Sequence, residues 1–432
     1  MRSFTRLYLY RCAAWLLPVL AAAIQPAVAA EPLTLAAAEQ LARDHNPSLA
    51  GAGVGVKAMQ AIPAQAGALP DPVLRLGAMN LPLNSLSLSQ EAMTQMQVGL
   101  SQKIPFPGKL DLQQSMAAYR ADVAGFEYVE AGLKLVRDVR MTWWNLCYLD
   151  RALDIVRHNQ VLLRQFVRIA EAKYKTGEGL QQDVLLAQVE LSKLLDVEIT
   201  LTGSRKSQAA WLNAQLGRRA DHALILPATV NESLAKAPDE AWLLQKAKAA
   251  RPALTAKARE VSAAADQVAL AEKDYYPDFT LAGDYGFRQG RDPNGRVRPD
   301  MASIQLSFTL PVYSSHKQAK EVDQRLAEKA RAAFALEDAT RSVEAEALMA
   351  LADYQRSSAQ ASLFKTGIIP QASQTVASML SGFQVGKVDF LNLVGSQITL
   401  YNYETQYWKV LAEANQAYAR LIAAAGGELH HE

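Results

Sequence analysis

The chain has 432 residues, of which 50% are hydrophobic and 20% are charged, and its formal net charge is only +2. So small a charge argues against a nucleic-acid partner, because nucleic-acid binding calls for a strongly basic surface. The length suffices for more than one domain. No stretch beyond the N-terminal region approaches the ~18 consecutive apolar residues that predict a transmembrane helix.

Residues 1–30 predict a secretory signal peptide. Arginines come first, then an apolar run over residues 13–23, then the small residues Ala27-Val28-Ala29-Ala30, which is the order of a cleavable signal. Cleavage is expected near Ala29-Ala30. Because Cys12 lies inside the signal, no lipidated N-terminus is predicted. Cys147 is then the single cysteine of the mature chain, and its helical pattern indicates a small buried hydrophobic residue.

The mature chain is predicted to be internally duplicated. Residues 174–188 (YKTGEGLQQDVLLAQ) resemble residues 383–397 (FQVGKVDFLNLVGSQ), with glycine eleven positions before the closing glutamine in both. Other landmarks repeat in the same order at similar offsets, and repeats should be sought before other features. These landmarks are Asn46-Pro47 with Arg251-Pro252, Pro70-Asp71 with Pro277-Asp278, and Pro105 with Pro311.

Two pairs of short strands are predicted from period-two alternation of apolar and polar residues. Such alternation is typical of a membrane barrel, with apolar side chains toward lipid and polar ones toward the lumen. An ordinary half-buried sheet in a soluble protein gives the same pattern. In the barrel interpretation the lumen-facing residues are Arg75, Gln95, Gln97, Asp284, Arg288 and Gln305.

Each strand pair is followed by a very long helical pattern and a shorter returning one. The first long pattern would span on the order of 100 Å if straight. The second carries Gly367 and Pro370, which predict a kink or break; Pro47 and Pro63 should likewise interrupt the first helix, over residues 33–66. The predicted first repeat is 31–217 (strands ~72–80 and ~93–104, helices ~109–174 and ~182–217), a linker is 218–240, and the second repeat is 241–432 (strands ~277–288 and ~301–311, helices ~315–382 and ~390–425).

The number of strands that a closed barrel needs predicts how many chains assemble. Four strands cannot close a membrane barrel, since the smallest has about eight, and about eight strands leave an interior filled by side chains. Three chains would supply about twelve strands, the first multiple with room for a channel. If the strands form a membrane barrel and the protein is a conduit, a trimer is therefore the simplest closure.

The duplication, the two repeated turn motifs, Arg251-Pro252-Ala253-Leu254 and Tyr276-Pro277-Asp278-Phe279 together resemble the TolC-type outer-membrane efflux family over essentially the whole mature chain. The resemblance implies a mainly α-helical homotrimer, in which a small outer-membrane β-barrel of four strands per chain continues into a long α-helical barrel across the periplasm. It also implies outer-membrane lipid, a periplasmic adaptor and an inner-membrane pump as partners. Residues 102–109 and 386–391 resemble the branch that serves heavy-metal pumps of the resistance-nodulation-division class.

The resemblance assigns the two turn motifs to the periplasmic aperture and to adaptor docking. Capping of the helix ends is the alternative role for the glycines and for Asp183. Aligned on the turn glycine, the aspartate positions that ring the family's constriction are Asn392 and Gly395 here, so Asp389 is the candidate for an acidic ring. The residues assigned to the tip are Gly177, Asp183, Gln188, Gly386, Lys387, Asp389, Asn392 and Gln397.

An enzyme is not expected. The sequence has no phosphate-binding loop, nucleophile elbow or paired-histidine motif, and no cofactor or metal site is predicted. His430-His431 could hold a metal weakly, but the favoured interpretation is a solvated tail. A TolC-like duct for organic compounds or secreted peptides is the alternative to metal export. A passive porin would need many more strands, and a periplasmic coiled-coil rod would not explain the paired strands.

Overall fold

A computed structural model describes residues 32–429. The predicted signal peptide over residues 1–30 and the histidines 430 and 431 lie outside the described residues. Within the described range, no helix combines the length and the hydropathy that crossing a bilayer requires.

Short helices precede each pair of strands. Thr34 caps the first one, its hydroxyl accepting from the Ala37 N–H at 3.2 Å, and Asn46 ends that helix and caps the next. The predicted interruptions at Pro47 and Pro63 are confirmed, since both prolines sit in the first turn of a new helix, where no N–H is needed. The helices are α1 (Leu35–His45), α2 (Pro47–Gln60) and α3 (Ile62–Ala66) in the first half, and α6 (Glu240–Ala250) and α7 (Pro252–Lys273) in the second.

Arg251-Pro252 marks a joint between helices rather than a helix interior. A residue before proline is pushed out of the helical region. Arg251 accordingly adopts an extended conformation (φ −71°, ψ 115°), as Asn46 does at the matching joint in the first half.

The long helices make up most of the molecule. The first is unbroken, whereas the second contains the π-helical segment Phe364–Ile368 just before Pro370. The interruption predicted from Gly367 and Pro370 is therefore this π-helical segment. The long helices are α4 (Lys109–Lys175), and α8 (Gln318–Leu363) continued by α9 (Ile369–Gln384); the returning helices are α5 (Gln181–Gln215) and α10 (Phe390–Ala424).

One four-stranded antiparallel sheet stands at one end of the helices, with strand order β1-β2-β3-β4. The two halves of the chain meet at its centre, where β2 pairs with β3. The strands are β1 (Val73–Met79), β2 (Gln95–Ile104), β3 (Phe279–Phe287) and β4 (Met301–Phe308).

The core of the helical body is rich in alanine, which lets helices approach closely. Leu146 and Val139 of α4 are fully buried against α1, α5 and the segment 216–239. Cys147 is buried in the same cluster, as predicted, and burial raises the pKa of its thiol to about 11. The helices therefore bury their apolar faces against one another along their length.

Candidate channel site: the helix turns and the sheet

The two turns at the far end of the helices are built alike. Gly177 has φ +79° and Gly386 has φ +71°, a conformation that glycine adopts readily. In the first turn the N–H of Glu178 donates to the Lys173 carbonyl at 2.9 Å, and in the second the N–H of Lys387 donates to the Gly382 carbonyl at 2.9 Å. Each glycine thus closes its helix with the hydrogen bonds of a Schellman motif.

The returning helices begin differently. In α5, Asp183 lies in the first turn, where a carboxylate interacts favourably with the positive end of the helix dipole. In α10, Asp389 is the residue that precedes the helix, and its side chain makes no capping hydrogen bond. Asp389 is exposed, so its carboxylate is available to solvent at the turn.

An aromatic and aliphatic cluster holds the two turns side by side. Phe166 of α4 meets Phe390 of α10 edge-on, with ring centroids 6.2 Å apart, and Phe383 lies 5.5 Å from Phe390. The Lys173 ammonium sits 4.2 Å from the Phe383 ring, a favourable cation–π distance. Both turns consequently form a single end of the molecule.

The predicted tip residues do not all reach the surface. Most are exposed near the turns, Asp183 is half-buried, and Gln188 is exposed. Gln397, its repeat counterpart, is only 6% exposed, and its Nε2 donates to Asn159 Oδ1 at 2.8 Å. Gln397 therefore packs between helices instead of facing a docking partner, which corrects the sequence assignment. The exposed members are Gly177, Gln188, Gly386, Lys387, Asp389 and Asn392.

The strand register separates the sheet into an apolar and a polar face, since side chains alternate along each strand and paired residues share a face. Leu76, Val98 and Tyr285 stand in one row across three strands, and all three are exposed. The neighbouring rows of the same face add further exposed apolar side chains, namely Leu74, Leu100, Ile304, Met96 and Phe287.

The polar face holds five of the six predicted lumen residues. Arg75 and Asp284 approach to 3.3 Å across Gly99, which lies between them in the register. A Cβ at Gly99 would overlap the Asp284 carboxylate, so glycine makes room for this ion pair. The other residues on this face are Gln95, Gln97 and Gln305.

Arg288 lies one position beyond β3 and has a different role. Its guanidinium donates to the carbonyl oxygens of Ala92 and Pro299, in two different loops. The sequence assigned Arg288 to the barrel lumen together with the other five residues, whereas the hydrogen bonds of its side chain go to loop backbone at the end of the sheet. Arg288 is a loop-fastening residue.

Sequence reasoning missed an ion cluster where the sheet joins the helices. The Lys109 side chain, 8% exposed, has its Nζ 2.8 Å from Asp274 and 2.9 Å from Asp278. Burial by itself lowers the pKa of Lys109, but the two carboxylates outweigh that effect and raise it. The Pro277-Asp278 motif could be recognised in the sequence. Its ion-pair partner Lys109, 169 residues away in the chain, could not be identified from the sequence.

A second missed cluster ties the middle of the helical body together. Arg251 and Glu130 are buried, with side chains 5% and 8% exposed and 2.8 Å apart. Arg251 also donates to the Ala423 carbonyl at 3.0 Å and lies 3.2 Å from Glu346. The joint between α6 and α7 is thereby fastened to α4, α8 and α10.

Long paired helices, terminal glycine turns and a small sheet with one exposed apolar face define a channel protein of the outer-membrane efflux class. Comparison with known proteins identifies the family: the sequence profile of the outer membrane efflux proteins matches residues 38–218 and 243–427. The chain belongs to this family, whose members are channels rather than enzymes.

Known relatives match over nearly the full length. The cobalt-zinc-cadmium resistance protein CzcC of Cupriavidus metallidurans is 24% identical over 404 residues, covering 91% of this chain and 90% of CzcC. The outer-membrane channel OprN superposes with a TM-score of 0.78 at 17% identity, covering 91% of this chain and 90% of OprN. CusC, a transmembrane channel, gives 0.78 at 16% identity, covering 92% and 93%.

Proposed function

We propose that this chain is the outer-membrane exit duct of a tripartite efflux system, which passively conducts heavy-metal cations. In this proposal a homotrimer receives cargo from an inner-membrane pump of the resistance-nodulation-division class through a periplasmic adaptor. The observation that carries it is the pairing, on one chain, of an exposed apolar sheet face at one end with exposed helix turns at the other. One end suits lipid and the other suits a protein partner.

The sheet edges support the trimer. Within residues 32–429, β1 and β4 each pair with a strand on one side only, and unpaired strand edges cannot stay in lipid. Three copies joined edge to edge would close a barrel of about twelve strands, the polar face with Arg75 and Asp284 lining its lumen.

Heavy-metal cargo is supported by the full-length similarity to CzcC and by the motifs at residues 102–109 and 386–391. The test is metal and drug susceptibility of a strain that lacks this protein, with cell-associated metal measured by elemental analysis. We expect hypersensitivity to a heavy metal, raised cellular metal, and restoration of both by the wild-type chain. Normal metal tolerance with sensitivity to organic compounds would keep the duct and reject the metal assignment.

Conduction itself is tested separately in planar bilayers, where the purified protein is expected to form ion-conducting channels without pump or adaptor. Failure of the purified protein to insert into the bilayer and to conduct ions would favour the periplasmic coiled-coil rod.

At the tip, we propose that Asp389 contributes a ring of carboxylates, one from each chain, that favours cations at the aperture. Its exposure and its lack of a capping bond support this role. Asp389→Ala is expected to reduce cation selectivity measured from reversal potentials in a salt gradient, because the ring loses its negative charge. Asp196→Ala, at an exposed aspartate of α5 away from the turns, serves as the matched control, and unchanged selectivity in Asp389→Ala would reject the ring.

A further inference from the structure

The end of the sheet remote from the helices is closed by two loops, residues 80–94 and 288–300, that are fastened into one unit. Arg298 is 8% exposed, and its Nη1 donates to the carbonyl oxygens of Ser89 at 3.1 Å and Glu91 at 2.9 Å, both in the first loop. Its Nε also lies 3.5 Å from Asp292 Oδ1. Because it is buried and bonded to both loops, Arg298 fixes one loop against the other.

Within the second loop, residues 291–297 form a tight hairpin that projects from this base. Arg291 and Val297 pair as a β-bridge, the N–H of Asp292 donates to the Arg296 carbonyl at 2.9 Å, and the N–H of Gly295 donates to the Asp292 carbonyl at 2.8 Å. Gly295 has φ +78°, which glycine tolerates. The hairpin is therefore held by its own backbone bonds as well as by Arg298.

The hairpin presents two guanidinium groups to solvent. Arg291 and Arg296 are both exposed, and neither takes part in an ion pair within the described residues, 32–429. The Arg291 Nη1 donates to the Gly295 carbonyl at 2.8 Å, which leaves its other donors available. An exposed arginine with free donors can form two parallel hydrogen bonds to a phosphate.

The carboxylates of this loop are already engaged. Asp292 faces the buried Arg298, and Asp300 accepts from the Tyr285 hydroxyl at 2.8 Å and from the Arg288 N–H at 2.9 Å. Glu91, on the other loop, makes no ion pair within residues 32–429, and neither does Asp300, whose oxygens are taken up by those two hydrogen bonds. Together the two loops hold four arginines and three carboxylates, so their formal net charge is +1.

Exposed apolar side chains lie in the same two loops as the arginines. Leu83 is 93% exposed, and Leu86 and Val297 are also exposed. Cationic side chains beside apolar ones are the composition expected at the level of lipid headgroups, where the charge meets anionic groups and the apolar atoms meet acyl chains.

We propose that Arg291 and Arg296 bind the phosphate groups of the phosphorylated glycolipid in the outer leaflet of the outer membrane. The proposal rests on the proposed orientation of the sheet in that membrane, but it involves neither cargo, pump nor adaptor. Arg298 acts as a positioning residue, since it holds the hairpin from below. The planar fork of arginine suits a phosphate better than the point charge of lysine does.

The test measures binding of bisphosphorylated lipid A to the purified full-length protein in detergent, at low and high salt. Arg291→Gln/Arg296→Gln is expected to bind roughly 25-fold more weakly, since each arginine near an anionic lipid surface contributes about a fivefold change. The affinity of the Arg291→Lys/Arg296→Lys variant should lie between those of the wild type and the double glutamine variant, because lysine keeps the charge but lacks the planar guanidinium fork. High salt should shrink the difference.

The matched control is Arg43→Gln/Arg168→Gln, which removes two exposed arginines of α1 and α4 that make no ion pair within residues 32–429 and should leave binding unchanged. Arg298→Gln should weaken binding and also make both loops sensitive to protease, whereas the Arg291/Arg296 variants keep protease resistance. Equal affinity of the double glutamine variant and the wild type would overturn the proposal. So would equal binding of lipid A stripped of its phosphates, or of phosphatidylglycerol, and an equal loss in the control variant.

Discussion

The long helix of the first half and its counterpart in the second half run along the same body but are constructed differently. The helix α4 keeps α-helical hydrogen bonds from Lys109 to Lys175. Its counterpart changes to π-helical bonding at Phe364–Ile368, where the N–H of Ile369 donates to the Phe364 carbonyl. With the 209-residue offset of the turn glycines, Pro370 corresponds to Val161 in α4.

The difference follows from proline and from what packs beside it. Pro370 has no N–H and its ring would crowd a carbonyl of the preceding turn, and a π segment gives the helix a way to continue past it. Outside the helix, Glu232 accepts from Lys365 at 2.6 Å and from the Tyr407 hydroxyl. The segment that joins the two halves therefore connects the π segment to α10 through these hydrogen bonds. The first half has no such interruption in α4.

The largest expected effect is at the charged joint of the second half. Arg251→Met should lower the free energy of unfolding by about 3–5 kcal/mol, because the buried Glu130 loses its buried partner and keeps only the exposed Lys134 at 3.4 Å. Chemical denaturation of the purified protein in detergent measures this loss.

The first half supplies the control for that joint. Asn46→Ala removes the cap bond to the Leu49 N–H and the bond to the Gln215 carbonyl, and should cost about 1 kcal/mol. The double variant Glu130→Gln/Arg251→Met should recover part of the loss. Similar losses for Arg251→Met and Asn46→Ala would show that the two joints are equivalent after all.

Exchanging the helix interruption tests the comparison directly. Val161→Pro should cost about 3 kcal/mol, because α4 has no π segment to accommodate the ring. Pro370→Val should be tolerated, since it returns a hydrogen-bond donor to a helix that already continues. Thermal unfolding ranks the two variants, and hydrogen exchange over residues 364–370 reports whether Pro370→Val restores α-helical protection. Equal destabilisation by Val161→Pro and Pro370→Val would show that the π segment does not depend on Pro370.

The repeated glutamines of the turn motifs should respond unequally. Gln397→Leu should cost about 1–3 kcal/mol, because the buried amide oxygen of Asn159 loses its hydrogen-bond donor. Gln188→Leu, at the exposed counterpart of Gln397 in the first repeat, should change stability by less than about 0.5 kcal/mol. Denaturation midpoints decide between them, and Asn159→Leu/Gln397→Leu should recover much of the loss if the cost comes from the unpaired amide.

The smallest effect concerns pH at the π-segment clamp. Burial tends to raise the pKa of Glu232, but hydrogen bonds from Lys365 and Tyr407 outweigh it and lower that pKa below its ordinary 4.5. The ionised form therefore contributes stability that is fully present above about pH 4.5 and is lost as pH falls through the folded-state pKa. Glu232→Gln should flatten the loss of thermal stability between pH 5 and pH 3 (roughly the window set by this shift). If thermal stability changed with pH in the same way in the wild type and in Glu232→Gln, protonation of Glu232 would not affect the stability of the fold.

The turn glycines show how far local pattern carries the prediction of the site. Gly177 and Gly386 were predicted to end their helices, and both do so with positive φ, because a Schellman turn depends on a few neighbouring residues. The same pattern could not distinguish Gln188 from Gln397. Their difference arises from Asn159, 238 residues before Gln397, and sequence periodicity carries no information about such a partner.

The sequence by itself determined the long helices, the alternating strands, the helix ends at glycine and proline, and the resemblance to outer-membrane efflux proteins. Each of these depends on backbone preferences or on periodicity within a short window. Only the tertiary structure decided that β2 pairs with β3, that Arg75 meets Asp284 across Gly99, that Arg251 is buried against Glu130, and that Arg288 and Arg298 fasten loops. These contacts join segments from about ten to more than two hundred residues apart, and their geometry follows from how the helices and the sheet pack.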